Sequence, residues 1–251
     1  MFLAIAAALA GGLILGCVLN VVAHRLPRGE SLATPGSQCP HCGHEVRPRD
    51  NIPVVSWLLL RGRCRDCDEP ISRRYPLVEA ATGLLFAAVV VAHHKDPAEL
   101  VLGLALVAFL VPLALIDLDT RLLPNKLTLP AAVVAIVLGT LLDRSGEVER
   151  LIAGAGAGGF FLIAALAYPR GMGMGDVKLA AVLGLFLGRE VGAAVLIALV
   201  AGVLVGVAIM RRKGVGEGRK TAVAFGPFLA LGGLGGLLIG EPLVDAYLGT
   251  F

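Results

Sequence analysis

Apolar runs recur along most of this chain, near residues 2–23, 77–94, 98–117, 126–142, 150–169, 177–188, 191–210 and 222–240. A helix needs roughly 20 apolar residues to cross the hydrocarbon core of a bilayer. Lipid offers no hydrogen-bond partner to backbone N–H and C=O groups, so each run must satisfy them internally as a helix. The run 177–188 is shorter than the others. It can stand as a span or pair with 191–210 as a bent or re-entrant element, which gives seven or eight spans. Composition agrees, with 57% of residues hydrophobic and 16% charged, against about 45–50% apolar in soluble chains. At a mean hydropathy of +0.82, too little polar residue remains to coat a water-soluble fold. The chain is expected to be an all-α integral membrane protein, a polytopic bundle of about eight transmembrane helices. No basic segment precedes the first run and no small-residue cleavage site closes it, so it reads as a retained first helix rather than a signal peptide.

Charge sets the expected topology. The formal net charge of +3 is too small and too localised to suggest nucleic acid. Segment 24–76 holds nine arginines, among them Arg25, Arg47, Arg61, Arg65 and Arg74. The loops beside Arg121/Lys126, beside Arg170/Lys178 and from Arg211 to Lys220 are also basic. The alternate connections, around Asp96, from Asp143 to Glu149, at Arg189-Glu190 and in the tail with Glu241 and Asp245, are neutral or acidic. Basic loops stay cytoplasmic. With eight helices this alternation closes without conflict and puts both termini outside.

The one sizeable polar segment, 24–76, contains Cys39-Pro-His-Cys42 and Cys64-Arg-Asp-Cys67, separated by 21 residues. Two residues between thiolates let a tight turn aim both sulfurs at one metal, and two such knuckles complete a tetrahedral four-thiolate zinc site. The rival, a pair of disulfides, conflicts with a reducing cytoplasm. Four thiolates leave no open position for water, so the zinc is expected to be structural and to supply folding energy to a small loop domain. His41 and His44 read as solvated loop residues, and Cys17 as a small buried hydrophobe in the first helix. The expected organisation is a first transmembrane helix at 1–23, the four-cysteine module at 24–76 and a polytopic membrane domain at 77–251. The glycine tract 154–159 lies inside an apolar helix with no strand before it, so it reads as close helix packing rather than a nucleotide loop.

An acid at the edge of a membrane span costs roughly 2.5–3.5 kcal/mol on insertion scales and needs a reason. Asp117 and Asp119 close the third run, and Asp176 opens the sixth in Gly171-Met-Gly173-Met-Gly175-Asp176-Val-Lys178. By the topology above, all three share the cytoplasmic boundary. Two carboxylates held close cannot both ionise cheaply, so one can activate water while the other polarises a carbonyl and protonates a leaving amine. Glycines 171, 173 and 175 would let backbone approach a bound extended peptide. The bland alternative is that these acids cap helix ends or pair with Arg121, Arg170 and Lys178, and Asp176 also suits a helix N-terminus.

Three blocks of sequence resemble the bacterial type 4 prepilin peptidases, which are GxGD-type membrane aspartic proteases. The first is Gly16-Cys-Val-Leu-Asn20-Val-Val-Ala-His24-Arg25-Leu-Pro27, with His24 where an aromatic is usual. The second, within 40–83, includes Asp50-Asn-Ile-Pro53, Ser56-Trp57-Leu58 and Ile71-Ser-Arg-Arg-Tyr-Pro-Leu-Val-Glu79. The third pairs Asp117-Leu-Asp119-Thr-Arg-Leu-Leu-Pro124-Asn125 with Gly173-Met-Gly175-Asp176. The resemblance implies an aspartic endopeptidase of the plasma membrane that removes the basic leader of type IV prepilins and pseudopilins, after a glycine, at the cytoplasmic face. It further implies N-methylation of the new N-terminus with S-adenosylmethionine as donor. It selects Asp117 and Asp176 as catalytic, because the family's first aspartate stands seven residues before the proline. Asp119, Gly173, Gly175 and Lys178 are left in supporting positions. Asn125 stands where long-form members often carry aspartate, and the family's cysteine module is matched at Cys39, Cys42, Cys64 and Cys67. Glu79 either holds a substrate amine or leader lysine, or snorkels to the interface.

Two other function classes compete. A transporter with a proton relay would spread polar residues through several helices toward the midplane, whereas these acids gather at one end. A scaffold that only docks a partner through its cysteine module leaves the glycine–aspartate segment without a purpose.

Overall fold

The computed structural model describes residues 1–168, 172–214 and 224–249. Arg170, Gly171 and Lys220, named above, lie outside the described residues. Within them the fold is all-helical, with two isolated β-bridges in the polar segment. The chain forms two compact units, residues 1–94 and 95–251.

In the first unit α1 (Phe2–Arg25) packs along α3 (Arg74–His93), and between them in sequence lie the polar segment and the short α2 (Val55–Leu59). Glycines set how closely α1 and α3 approach. A Cβ on Gly12 would stand 2.8 Å from the Gly83 Cα, and one on Gly16 would stand 2.7 Å from the Glu79 Cα. This is the small-residue contact that lets membrane helices pack backbone to backbone. The paired positions run in opposite senses, so α1 and α3 are antiparallel. Near the polar segment Asn20 Nδ2 donates to the Tyr75 carbonyl at 3.3 Å.

The second unit contains α4 (Pro97–Thr120), α5 (Asn125–Leu142), α6 (Glu147–Ala167), α7 (Met174–Leu187), α8 (Val191–Lys213) and α9 (Gly226–Leu248). Asp96 starts α4 as an N-cap, its Oδ1 accepting from the Ala98 and Glu99 amides at 2.8 and 3.1 Å, with Pro97 in the first turn. Arg121 ends it in the left-handed region at φ 55°. Helix α7 is the centre of the unit, with Leu179, Ala180 and Leu183 fully buried. Two of the four glycines of the 154–159 tract pack helices, while Gly156 and Gly159 have no neighbour within 4 Å of an added Cβ. A Cβ on Gly154 would stand 2.9 Å from Leu185, and one on Gly158 would stand 2.9 Å from Ala181.

Seven stretches of the described residues are long and apolar enough to cross a membrane, one of them the 39-residue run Met174–Arg212. That run joins α7 to α8 through a 3₁₀ turn at Gly188–Glu190, where Gly188 has φ 58°. Neighbours of α9 show that the chain reverses there. Gly233 faces Leu183 and Gly236 faces Leu187, so α7 runs parallel to α9. Gly202 faces Phe225, Gly232 faces Ala198 and Gly240 faces Glu190, so α8 runs antiparallel to it. The short run 177–188 is therefore a separate pass, antiparallel to α8, and the helices correspond one by one to the eight expected runs. At 14 residues α7 is only about 21 Å long.

Candidate active site and metal centre

Three helix ends meet at one end of the second unit: the C-terminus of α4 and the N-termini of α7 and α9. Asp117 lies in the last turn of α4 with 4% of its surface exposed. Its Oδ2 accepts the Gly226 N–H, at the start of α9, at 2.9 Å. Asp176, 9% exposed, lies in the first turn of α7, and its Oδ2 accepts the Gly173 N–H at 3.3 Å. The start of α7 also lies against the turn after α4, where Gly175 meets Leu123. Two buried acids from separate helices thus lie at the same end of the unit. Asp119, two residues beyond Asp117, is turned to the exposed side of α4.

The supporting residues divide by what they touch. Lys178 Nζ donates to Asn125 Oδ1 at 2.8 Å and ties the first turn of α7 to the start of α5. A Cβ on Gly175 would stand 2.9 Å from the Leu123 Cβ, so the bare backbone at Gly175 admits the α4–α5 turn of its own chain. A Cβ on Gly173 would keep ordinary spacing, 3.6 Å from Asp176 Oδ2, and the extended backbone there (φ −83°, ψ 149°) suits other residues too. Gly226 was not singled out by the sequence. The signal that could have found it is the Gly226-Pro227 pair opening an apolar run.

In the first unit the four cysteine sulfurs of Cys39, Cys42, Cys64 and Cys67 all lie within 4.8 Å of one another, and none is in a disulfide. Four sulfurs at about 2.3 Å from one tetrahedral zinc would stand about 3.8 Å apart, and Cys39 and Cys67 are separated by 3.8 Å. The donor set fits structural zinc. The two knuckles repeat each other. The Cys39 amide donates to the His44 carbonyl at 3.0 Å, and the Cys64 amide to the Glu69 carbonyl at 2.8 Å. Gly43 (φ 71°) and Asp68 (φ 57°) take the same left-handed place one residue after each second cysteine. Backbone N–H groups of Cys42 and His41 hold the Cys39 thiol down at about 6, the direction that favours a thiolate ligand. His41 turns away toward Glu69, 3.8 Å from its carboxylate.

Glu79 reaches from α3 into this segment and accepts the Val54 N–H at 2.8 Å. It is buried, at 7% exposed, and Val54 has φ 60°, a strained conformation for a β-branched residue. One oxygen of Glu79 therefore holds a backbone amide of its own chain. Asp50 is gripped by Arg65 through both carboxylate oxygens, at 2.6 and 2.9 Å, which holds its carboxyl below the usual range. A cavity of about 620 Å³ lies within the unit, lined in part by Asn20, Asp50, Trp57, Tyr75 and Glu79.

The comparisons with known proteins agree with both halves. The family model described as "Bacterial Peptidase A24 N-terminal domain" matches residues 10–93, and the one described as "Type IV leader peptidase family" matches residues 104–210. These fall one in each unit. The chain is similar to proteins named prepilin leader peptidase/N-methyltransferase. One, from Burkholderia pseudomallei (strain 1026b), is 38% identical over 92% of this chain and 84% of the relative. Another, from Stutzerimonas stutzeri, is 35% identical over 96% and 92%, and a third, from Myxococcus xanthus (strain DK1622), is 41% identical over 81% and 62%. No solved structure matches.

Proposed function

The chain belongs to the bacterial type IV leader peptidase family, and from that premise we propose that Asp117 and Asp176 are the acid–base pair with which it removes the basic leader of prepilins and pseudopilins. The observation that carries this reading is the meeting of two buried carboxylates from different helices at one end of the bundle, each holding a backbone N–H. One ionised carboxylate takes a proton from water, and the resulting hydroxide attacks the scissile carbonyl carbon. The protonated partner hydrogen-bonds the carbonyl oxygen and then gives its proton to the amine as the C–N bond breaks, which restores the shared proton.

The charge pattern supports a cytoplasmic position for this end. Arg121, Lys126, Lys178, Arg211 and Arg212 lie at the helix ends beside the pair, whereas acids outnumber bases at the opposite ends, with Asp96, Glu99, Glu147, Glu149 and Glu190 among them. That is the asymmetry expected of a cytoplasmic face, and with eight helices this reading has both termini outside. A substrate with a basic leader followed by an apolar helix would then lie along the bilayer, with its junction at the level of the pair.

The relatives' second named activity is N-methyl transfer, for which S-adenosylmethionine supplies an electrophilic methyl group. The cavity in the first unit suits such a donor in size, since ligand sites run from about 300 to 1,000 Å³. It also suits it in chemistry. Its lining includes the aromatic residues Trp57 and Tyr75, a residue type that binds bases and sulfonium cations, beside the polar Asn20 and Glu79.

The test is co-expression with a prepilin-like substrate, with the product followed by intact mass for wild type, Asp117→Asn, Asp176→Asn and Asp119→Asn. Both members of the pair are expected to lose cleavage at normal membrane levels, and Asp119→Asn to retain it within about threefold, as surface changes usually do. A wild-type product heavier by about 14 mass units shows the added methyl. Cleavage by either pair variant sinks the assignment of these residues.

A further inference from the structure

Resting on that reading of the pair, we infer that the N–H of Gly226 fixes Asp117 as its ionised member and leaves Asp176 as the proton donor, which makes Gly226 a positioning residue for peptide cleavage. The first N–H groups of a helix have no partner within it. In α9 they are nearly all accounted for. Pro227 has none, and Phe228 and Leu229 donate to the Phe225 carbonyl at 3.0 and 3.1 Å. The Gly226 N–H points at Asp117, a residue 109 positions away, at 2.9 Å in a buried setting. A carboxylate that accepts such a bond at the positive end of a helix is favoured in its charged form.

A side chain at this position would push against the carboxylate. A Cβ there would stand 2.6 Å from Asp117 Oδ2 and 2.9 Å from its Cγ. Asp176 is held differently, by a longer 3.3 Å bond from Gly173 in its own first turn. Of the other charged groups around Asp117, the cation Arg121 favours its ionised form, while Asp176 and Asp119 are acids that compete for the charge. Arg121, in the turn after α4, is a cation four residues beyond Asp117 whose N–H donates to the Asp117 carbonyl, and α7 brings the paired acid Asp176. Asp119 lies on the exposed side of α4, and Lys126 lies in the first turn of α5. From Gly226 to Gly240, α9 carries no titratable residue. When only one carboxylate of a close pair can ionise, the shorter bond and the cation select Asp117.

The test uses the full chain in lipid nanodiscs and two variants. Glycolic acid at position 226 replaces the Phe225–Gly226 amide by an ester, which removes the N–H and adds no atom. Gly226→Ala keeps the N–H and adds the Cβ. The ester is expected to lower kcat about tenfold with KM within about threefold, the pattern of an interaction used in the transition state. Gly226→Ala is expected to cost about 10²-fold, the scale of an ångström-sized misplacement. In both, the acid limb of the pH–rate profile moves to higher pH, because the base has lost its support. An ester variant with the wild-type rate and acid limb overturns the inference. So does loss of rate in either variant with an unmoved acid limb, since the charge on Asp117 would then not depend on this contact. Asp117→Asn is measured beside them. If it still cleaves, the reading of the pair fails, and not merely the part given to Gly226.

Discussion

Lys178 Nζ lies 2.8 Å from Asn125 Oδ1, and this contact joins the turn that presents Asp176 to the residue that opens α5. Lys178 stands two residues after Asp176 and Asn125 directly after Pro124. The bond therefore limits how far the start of α7 can move from the turn that follows Asp117. Lys178→Met and Asn125→Ala are each expected to lower kcat about fivefold, the equivalent of ~1 kcal/mol for a single exposed hydrogen bond. The double variant should fall no further than either single one, because both remove the same contact. Additive losses in steady-state kinetics would show that the two residues act separately.

The helices were legible because a bilayer demands length and apolarity and little else. The run 77–94 corresponds to α3 at Arg74–His93, and the run 126–142 to α5 at Asn125–Leu142. Direction was harder to read. Nothing in the run 177–188 says whether it continues into 191–210 or doubles back, and the answer lies in which residues of α9 face it. Asp117, Asp119 and Asp176 stood out because acids are costly beside apolar runs, and the choice of Asp117 over Asp119 came from the resemblance. The third element of the site did not stand out. A glycine before a proline reads as punctuation, and the target of its N–H is distant in sequence. Glu79 stayed ambiguous for a related reason, since a backbone amide that needs an acceptor leaves no trace in composition.

The four-cysteine cluster predicts one tightly held zinc per chain. Cys42→Ser is expected to remove it and to open the polar segment 24–76, because a small loop module draws its folding energy from the metal. Metal content by mass spectrometry should fall from one equivalent to none. Limited proteolysis should then cut within 24–76 of the variant and spare the wild type. Full zinc occupancy in Cys42→Ser would mean that fewer than four thiolates suffice.

The Glu79–Val54 contact predicts two opposite effects. Glu79→Ala leaves the Val54 N–H without its acceptor in a half-buried site, at a cost of about 1–3 kcal/mol. Val54→Gly relieves a left-handed backbone that costs a β-branched residue of order 1–3 kcal/mol. The first should lower, and the second raise, the midpoint of thermal unfolding followed through Trp57, whose Nε1 donates to the Ile71 carbonyl inside the same segment. A Val54→Gly variant less stable than wild type would show that its side chain contributes more than its backbone costs.

At the end of the bundle away from the pair, Arg150 joins α6 to the end of α5. Its guanidinium reaches Asp143 Oδ2 at 2.9 Å, Glu147 Oε2 at 3.4 Å and the carbonyls of Gly139 and Asp143 at 3.3 and 2.5 Å. Removing it by Arg150→Met leaves Glu147, 8% exposed, without its cation, which in a buried pair costs about 3–5 kcal/mol. The melting temperature in detergent should fall well below that of wild type. The pH dependence follows from Asp143, held at about 2 by Ser145, then Arg150 and the Gly146 amide. Its folded value lies below its unfolded one, so its contribution is present above about pH 4 and drains away as pH falls toward 2. Wild type should lose melting temperature across that window more steeply than Asp143→Asn, which has no proton to take up. Parallel curves for the two would show that the Arg150 cluster is held by its carbonyl contacts alone.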